Sequence, residues 1–179
     1  MIRNEIDLNR ENDRAEPIMA NGPLEVGMEA PDFELPSTLE EKINLKSVLG
    51  SGPVVIVFYV SDWGMMCNVV IRAFKEMYAD LKRWNAKILA ISTNSIFSHR
   101  AWAEHMKLPF PLLSDFDGRV SKRYGVLYGQ EGYLKGYSNR AVFILDSKGI
   151  IRYVWIADDP SYEPNYEEIR AEVEKAHGK

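Results

Sequence analysis

The chain has 179 residues, with 22 Lys and Arg against 26 Asp and Glu, for a formal net charge of −4. That length fits one domain with an extra arm, and a domain of about 150 residues buries about 70% of its unfolded surface, so neither a disulfide nor a metal is needed for folding. The acidic balance argues against a general nucleic-acid binder, which needs a basic face, and no apolar run reaches the ~20 residues that span a membrane.

Residues 1–22 are rich in charge and Asn, with isolated apolar residues at Ile2, Ile6, Leu8, Ile18 and Met19. They read as an arm that is mobile or orders against a partner subunit. The segment has no apolar core of a secretory signal. With a single cysteine in the chain, this leads to the expectation of a soluble cytoplasmic protein. Residues 23–179 are expected to form the domain. Phe33 and Leu35, then Ile43 and Leu45, alternate with polar residues on either side of turn material and predict two short strands, as in a hairpin.

Val54 to Val60 is an unbroken apolar run rich in β-branched residues, which suits a strand covered on both faces. Ser61 and Asp62 break it, and Gly64 permits a tight bend. Val70, Phe74, Met77, Leu81 and Trp84 then recur at alternating spacings of four and three, one face of a helix of about four turns. Cys67 therefore falls in the first turn of a helix that follows a buried strand. Unpaired N–H groups and the positive end of the dipole favour a thiolate there. A lone cysteine also serves as a small buried hydrophobe, so spacing alone leaves both readings open.

Ala86 to Ile91 predicts a second buried strand, and any of Ser92, Thr93, Asn94 and Ser95 suits the cap of the next helix. That helix carries Phe97, Ala101, Trp102 and Met106 and stops before Pro109. Leu112 and Leu113 mark a short strand, Asp115 to Tyr124 a short helix ending at Gly125, and residues 127–139 a loop. AVFILD (141–146) and IIRYVWIA (150–157) flank a Ser-Lys-Gly turn and predict a hairpin. A last helix carries Tyr166, Ile169, Val173 and Ala176 on one face. This order gives an α/β fold with a central mixed sheet flanked by helices.

Other chemistries find little support. His99, His105 and His177 lack metal-ligand spacing and read as surface or packing residues. Asp158-Asp159 reads as a turn, and neither a phosphate-binding Gly-rich loop nor a G-x-S-x-G elbow is present. No metal or cofactor is expected. Arg140 ends a Gly-rich loop just before AVFILD, where an arginine supplies a fixed charge-assisted donor or simply begins a strand at the surface.

Several segments together resemble the peroxiredoxins, the AhpC/TSA-type thiol peroxidases on a thioredoxin-like fold. They are GMEAPDFELPS (27–37), VVIVFYVSDWGMMC (54–67), STNSIFSHRAW (92–102), FPLLSDFDGRVSKRYGVL (110–127) and NRAVFILDSKGIIR (139–152). The AVFILD region and the DDPSYEP stretch look closest to the one-cysteine and bacterioferritin-comigratory-like branches. The resemblance implies that Cys67 is the peroxidatic cysteine and that Arg140 holds the thiolate and the peroxide. The family motif P-x-x-x-T/S-x-x-C is altered, because Val60 stands at the proline position and Gly64 at the hydroxyl position, both on the substrate side of the site. Val70 replaces an acid often found three residues after the cysteine.

The implied reaction is reduction of hydrogen peroxide or an organic hydroperoxide, with an external thiol reductant of thioredoxin, glutaredoxin or small-thiol type. The family also implies a homodimer or higher homo-oligomer, for which Trp63, Tyr128 and the N-terminal arm are candidates. The alternative is a catalytically weakened relative acting as a redox sensor or binding module. A thiol–disulfide oxidoreductase is disfavoured, since Gly64 stands where the first cysteine of a C-x-x-C pair would be.

Overall fold

The structure is a computed structural model and describes residues 24–129 and 132–179. The expected arm, residues 1–22, lies outside the described residues.

Strand β1 (Glu34–Pro36) pairs antiparallel with β2 (Lys42–Asn44), the expected hairpin. Leu45 leaves the strand and opens a one-turn helix, α1 (Leu45–Val48), because the Asn44 side chain caps it by accepting from Ser47 N. The main sheet begins with β3 (Val54–Phe58), followed by helix α2 (Met65–Lys82), β4 (Lys87–Ser92), helix α3 (Ile96–Met106) and β5 (Leu112–Ser114). The short α4 (Arg119–Arg123), the hairpin β6 (Ala141–Leu145) and β7 (Ile151–Ile156), and α5 (Tyr166–His177) complete the chain. The strand order is β5-β4-β3-β6-β7, with β3, β4 and β5 parallel and β6 and β7 antiparallel to their neighbours.

Strand β3 is buried on both faces, and its period of two divides the core. Val55, Val57 and Tyr59 face a cluster built from α2, Trp102 and Met106 of α3, and Ile169, Val173 and Ala176 of α5. Val54, Ile56 and Phe58 face the opposite cluster, which takes in Phe33, Leu35, Leu45, Val120 and Tyr124. Tyr124 packs against Phe58 and Phe143 with ring centroids 5.3 Å away from each, and its hydroxyl donates to Pro31 O.

Two expectations about the helices change. Helix α3 buries His99, Trp102 and Met106, whereas Phe97 and Ala101 are exposed, so its inward face starts from a histidine rather than a phenylalanine. Ser95 is the residue that caps it. The helix expected from Asp115 shrinks to α4, because the buried Asp115 carboxylate turns back to accept from Val120 N, Ser121 N and Ser121 Oγ. Burial pushes the Asp115 carboxyl above the usual carboxylate range, and its hydrogen bonds offset only part of that. Of the two aromatics offered for an oligomer contact, Tyr128 is half-buried, its hydroxyl donating to Asn139 Oδ1, while Trp63 is exposed.

Candidate active site

The sheet register decides what meets Cys67. Phe58 pairs with Ala141, so the next residues along, Tyr59 and Arg140, stand opposite each other where β3 ends and β6 begins. Side chains alternate across a strand, and Val142, two residues on from Arg140, belongs to the cluster under α2. Arg140 therefore points to the α2 side, as Tyr59 does. Its Nη2 lies 3.9 Å from Cys67 Sγ.

The local sequence explains both placements. Gly64 is the N-cap of α2 with extended backbone and no side-chain cap, and Asn68 N makes the first helical bond to Gly64 O at 2.8 Å. The amide N–H groups of Met65, Met66 and Cys67 therefore lie in the turn before the helical ladder begins. Trp63 turns the chain into the cap with φ 63°, a left-handed conformation that is costly for a bulky residue, and its indole packs on His105. Arg140 is fixed through Asn139, whose Oδ1 accepts from Arg140 N at 2.8 Å and whose Nδ2 donates to Ala157 O at 2.8 Å.

Cys67 is 2% exposed and Arg140 5% exposed. Among the described residues, the guanidinium Nε and Nη1 have no hydrogen-bond partner. A buried cation with orphan donors beside a thiol is costly unless something anionic or oxygen-bearing completes it. The thiolate supplies one such charge, and the unused N–H groups can donate to the oxygens of a ligand.

The substituted motif positions also flank the thiol. A Cβ built on Gly64 would sit 3.5 Å from Cys67 Sγ and 3.3 Å from Ser61 O, so the space a hydroxyl residue would occupy touches the sulfur. Val60 is half-buried against the α2-side cluster. Ser61 does not replace the missing hydroxyl, since its Oγ donates to Asp62 O at 3.0 Å.

Sequence reasoning missed the polar layer beneath the loop. The Asp62 carboxylate, fully buried, accepts from Tyr59 Oη at 2.8 Å and Ser98 Oγ at 2.7 Å and lies 2.9 Å from His99 Nδ1. His99 Nε2 meets Leu113 O at 3.0 Å. Burial, then the neighbouring Asp62 charge, hold the Tyr59 phenol well above its usual value, so it stays protonated and donates. Trp102 lies against Tyr59 with centroids 5.5 Å apart, and its Nε1 donates to Asn68 Oδ1 at 3.2 Å. The available signal was spacing: His99 stands three residues before Trp102 and seven before Met106, on one helix face. Among the described residues, no group of three or more His, Cys, Asp or Glu is arranged to hold a metal ion.

The AhpC/TSA family model matches residues 26–154. The chain belongs to the peroxiredoxins. It is 33% identical to a putative peroxiredoxin bcp of Coxiella burnetii, over 74% of this chain and 88% of that protein. It is 32% identical to the chloroplastic 2-Cys peroxiredoxin BAS1 of Spinacia oleracea, over 72% of this chain and 51% of that protein. The chain thus spans about half the length of two of the chloroplastic peroxiredoxins it matches. The crystal structure of a peroxiredoxin-like protein from Aquifex aeolicus superposes with TM-score 0.78 at 28% identity, covering 87% of this chain and 90% of that one. The mixed sheet with helices on both faces is accordingly the thioredoxin-like fold of the peroxiredoxins.

Proposed function

We propose that this peroxiredoxin is a thiol-dependent peroxidase of one-cysteine type in which Cys67 is the nucleophile. The observation that carries the reading is the buried Arg140 guanidinium beside Cys67 Sγ, with Nε and Nη1 left without partners among the described residues.

The thiolate attacks one oxygen of the hydroperoxide in line with the O–O bond. An S–O bond forms, the O–O bond breaks, and its electron pair leaves on the distal oxygen, which takes a proton and departs as water or an alcohol. Arg140 and the free N–H groups at the start of α2 stabilise the charge on that oxygen as it develops. Val60 and Gly64 line the substrate side of the thiol. No second cysteine lies in the chain, so an external thiol attacks the sulfenic acid, releasing water and leaving a mixed disulfide. A second thiol then returns Cys67 to its reduced form.

The reductant is of thioredoxin, glutaredoxin or small-thiol type, the substrate hydrogen peroxide or an organic hydroperoxide, and the role antioxidant. A cytoplasmic location fits the single reduced cysteine. Among the described residues no helix is long and apolar enough to cross a membrane. The assembly is a homodimer or higher homo-oligomer, supported by the exposed Trp63, Met65 and Val69 around the start of α2.

A second reading, a weakened relative serving as a redox sensor or binding module, is favoured by Val60 and Gly64 at the motif positions. Brief exposure to one equivalent of hydrogen peroxide with a sulfenic-acid trap, read by intact mass on wild type and Cys67→Ser, separates the two. Rapid trapping that needs Cys67 supports the peroxidase. Trapping no faster than that of an ordinary free thiol overturns it and favours the second reading.

A further inference from the structure

We infer that His99 is a positioning residue for Cys67, acting through the carboxylate of Asp62 to hold the turn that carries the thiol. Asp62 sits in the short turn between the end of β3 and the Gly64 cap of α2, five residues before the cysteine. A carboxylate with no exposed surface is tolerated only if its lone pairs are taken. Here they are taken from two directions. Tyr59 reaches it from the end of β3, and Ser98 and His99 from α3.

His99 has no freedom to turn away. Its Nε2 faces Leu113 O, a pure acceptor, so Nε2 carries a proton and donates. Its Nδ1 faces both Asp62 oxygens, at 2.9 and 3.0 Å. Asp62 already receives two hydroxyl donors, and Tyr59 Oη also lies 3.3 Å from His99 Nδ1, so both ring nitrogens of His99 face fixed partners. The backbone of the turn is held as well, since Asp62 N donates to Asn94 Oδ1 at 3.1 Å, and Asn94 is anchored by Ser92 Oγ. The cysteine turn is thereby bolted to α3 and to the edge strand β5.

This layer bears on the chemistry in two ways. Geometrically, it sets where Trp63 and Gly64 deliver α2, and so the separation of Sγ from Arg140. Electrostatically, Tyr59, Ser98 and His99 compensate the Asp62 carboxylate within the layer, and Arg140 is the charged group next to the thiol. Removing His99 while keeping Asp62 leaves the buried carboxylate of the cysteine turn short of a partner, an anion five residues before Cys67 that disfavours a second negative charge at the thiol. The titratable groups tied to this layer are Tyr59 from β3, Asp62 from the turn and His99 from α3, with Cys67 of α2 in the same core cluster as Tyr59.

The inference rests on Cys67 being the reacting thiol, so the test has one arm with peroxide and one without. The first arm is alkylation of Cys67 by iodoacetamide against pH, and the second is sulfenic-acid trapping with hydrogen peroxide. Both are run on wild type, His99→Gln, Asp62→Asn and the double variant, with thermal unfolding of each. The expected result is a midpoint of alkylation displaced to higher pH in His99→Gln and restored toward wild type in the double variant, where the anion is gone. Trapping in His99→Gln is expected to slow at least tenfold.

Ser98→Ala removes one small donor to the same carboxylate and keeps the test open if His99→Gln does not fold. A several-fold slower trapping rate is expected for it. Variants that melt earlier yet keep the wild-type alkylation midpoint and a trapping rate within twofold would reduce His99 to a packing residue and overturn the inference. An alkylation midpoint that shifts as expected, in a protein whose wild type does not react with peroxide, would uphold the inference and reject the peroxidase reading instead.

Discussion

Arg140 and Cys67 are 73 residues apart in the chain, and the Arg140 Nη2 lies 3.9 Å from the Cys67 Sγ. Neither residue alone specifies a site. The pairing of Phe58 with Ala141 brings Tyr59 and Arg140 to the same end of the sheet, and the turn from β3 into α2 sets the thiol above them. The guanidinium is buried, with two nitrogens unpaired among the described residues, so its positive charge acts at close range with little screening.

Arg140→Met keeps much of the packing of the arginine stem and removes the charge. The thiolate then loses its nearest cation, and the midpoint of Cys67 alkylation is expected to move to higher pH. Losing a donor aimed at developing charge costs about 10²–10³ in rate, so trapping of the sulfenic acid at neutral pH should fall by about that factor. Overlapping alkylation curves for wild type and Arg140→Met would remove Arg140 from the site.

Trp102 links α3 to the cysteine turn by a route separate from Asp62. Its indole N–H donates to Asn68 Oδ1, and Asn68 Nδ2 donates to Gly64 O at 3.1 Å. Trp102→Phe keeps an aromatic ring against Tyr59 and deletes the donor, leaving Asn68 with an unmet acceptor. The expected loss is about 1–3 kcal/mol in urea unfolding. Because the two residues share one bond, Asn68→Ala should cost less in the Trp102→Phe background than in wild type. Strictly additive losses would show that the bond contributes nothing.

Asp146 ties the β6–β7 turn. Its fully buried carboxylate accepts from Lys148 N and Ile150 N and takes two bonds from Arg152, at 2.8 and 2.6 Å. Burial alone would raise its pKa, but Arg152 and the two backbone donors outweigh that and hold it below the usual carboxylate value of 3.8. A carboxyl whose folded pKa is depressed contributes stability that is present above the unfolded pKa and is lost as pH falls through the folded value. Asp146→Asn should therefore cost about 2 kcal/mol at pH 7, and the gap to wild type should narrow as the pH is lowered below 3.8. Unfolding in urea at pH 7 and at acid pH measures it, and a gap that stays constant would exclude this linkage.

The fold was legible because its strands announce themselves. The apolar run of β3, its copy in β4 and the Ser-Lys-Gly hairpin each have one natural reading, and the structure follows them. Helix α3 was misread on one face because apolarity was used as the guide to burial. Phe97 is 76% exposed while His99, polar by type, is fully buried with a partner at each ring nitrogen. A buried polar residue is invisible to apolar periodicity until its partners are known, and these come from the β3–α2 turn and from β5, distant in sequence. Cys67 and Arg140 could be named from the segments resembling a family, but their separation follows from the register of β3 on β6, which no local pattern specifies.

Gly64→Thr tests whether the altered motif limits the chemistry. Gly64 has φ −63° and ψ 136°, an ordinary conformation for any residue, so the backbone does not demand glycine here. A Cβ would lie in contact with Cys67 Sγ at 3.5 Å and tight against Ser61 O at 3.3 Å, so the turn must yield by a few tenths of an ångström. In return, the threonine hydroxyl can cap α2, which has no side-chain cap, although Thr and Gly rank close together as N-caps and the change in stability should be only a few tenths of a kcal/mol. The hydroxyl would also stand beside the sulfur, where it can donate to an incoming peroxide oxygen. A donor of this kind is worth about 10²–10³ in rate when well aimed, so trapping of the Cys67 sulfenic acid should accelerate with little change in melting temperature. A folded variant with an unchanged or slower rate would show that the missing hydroxyl does not limit the reaction. The compensating donors would then have to be sought in Arg140 and the amides at the start of α2.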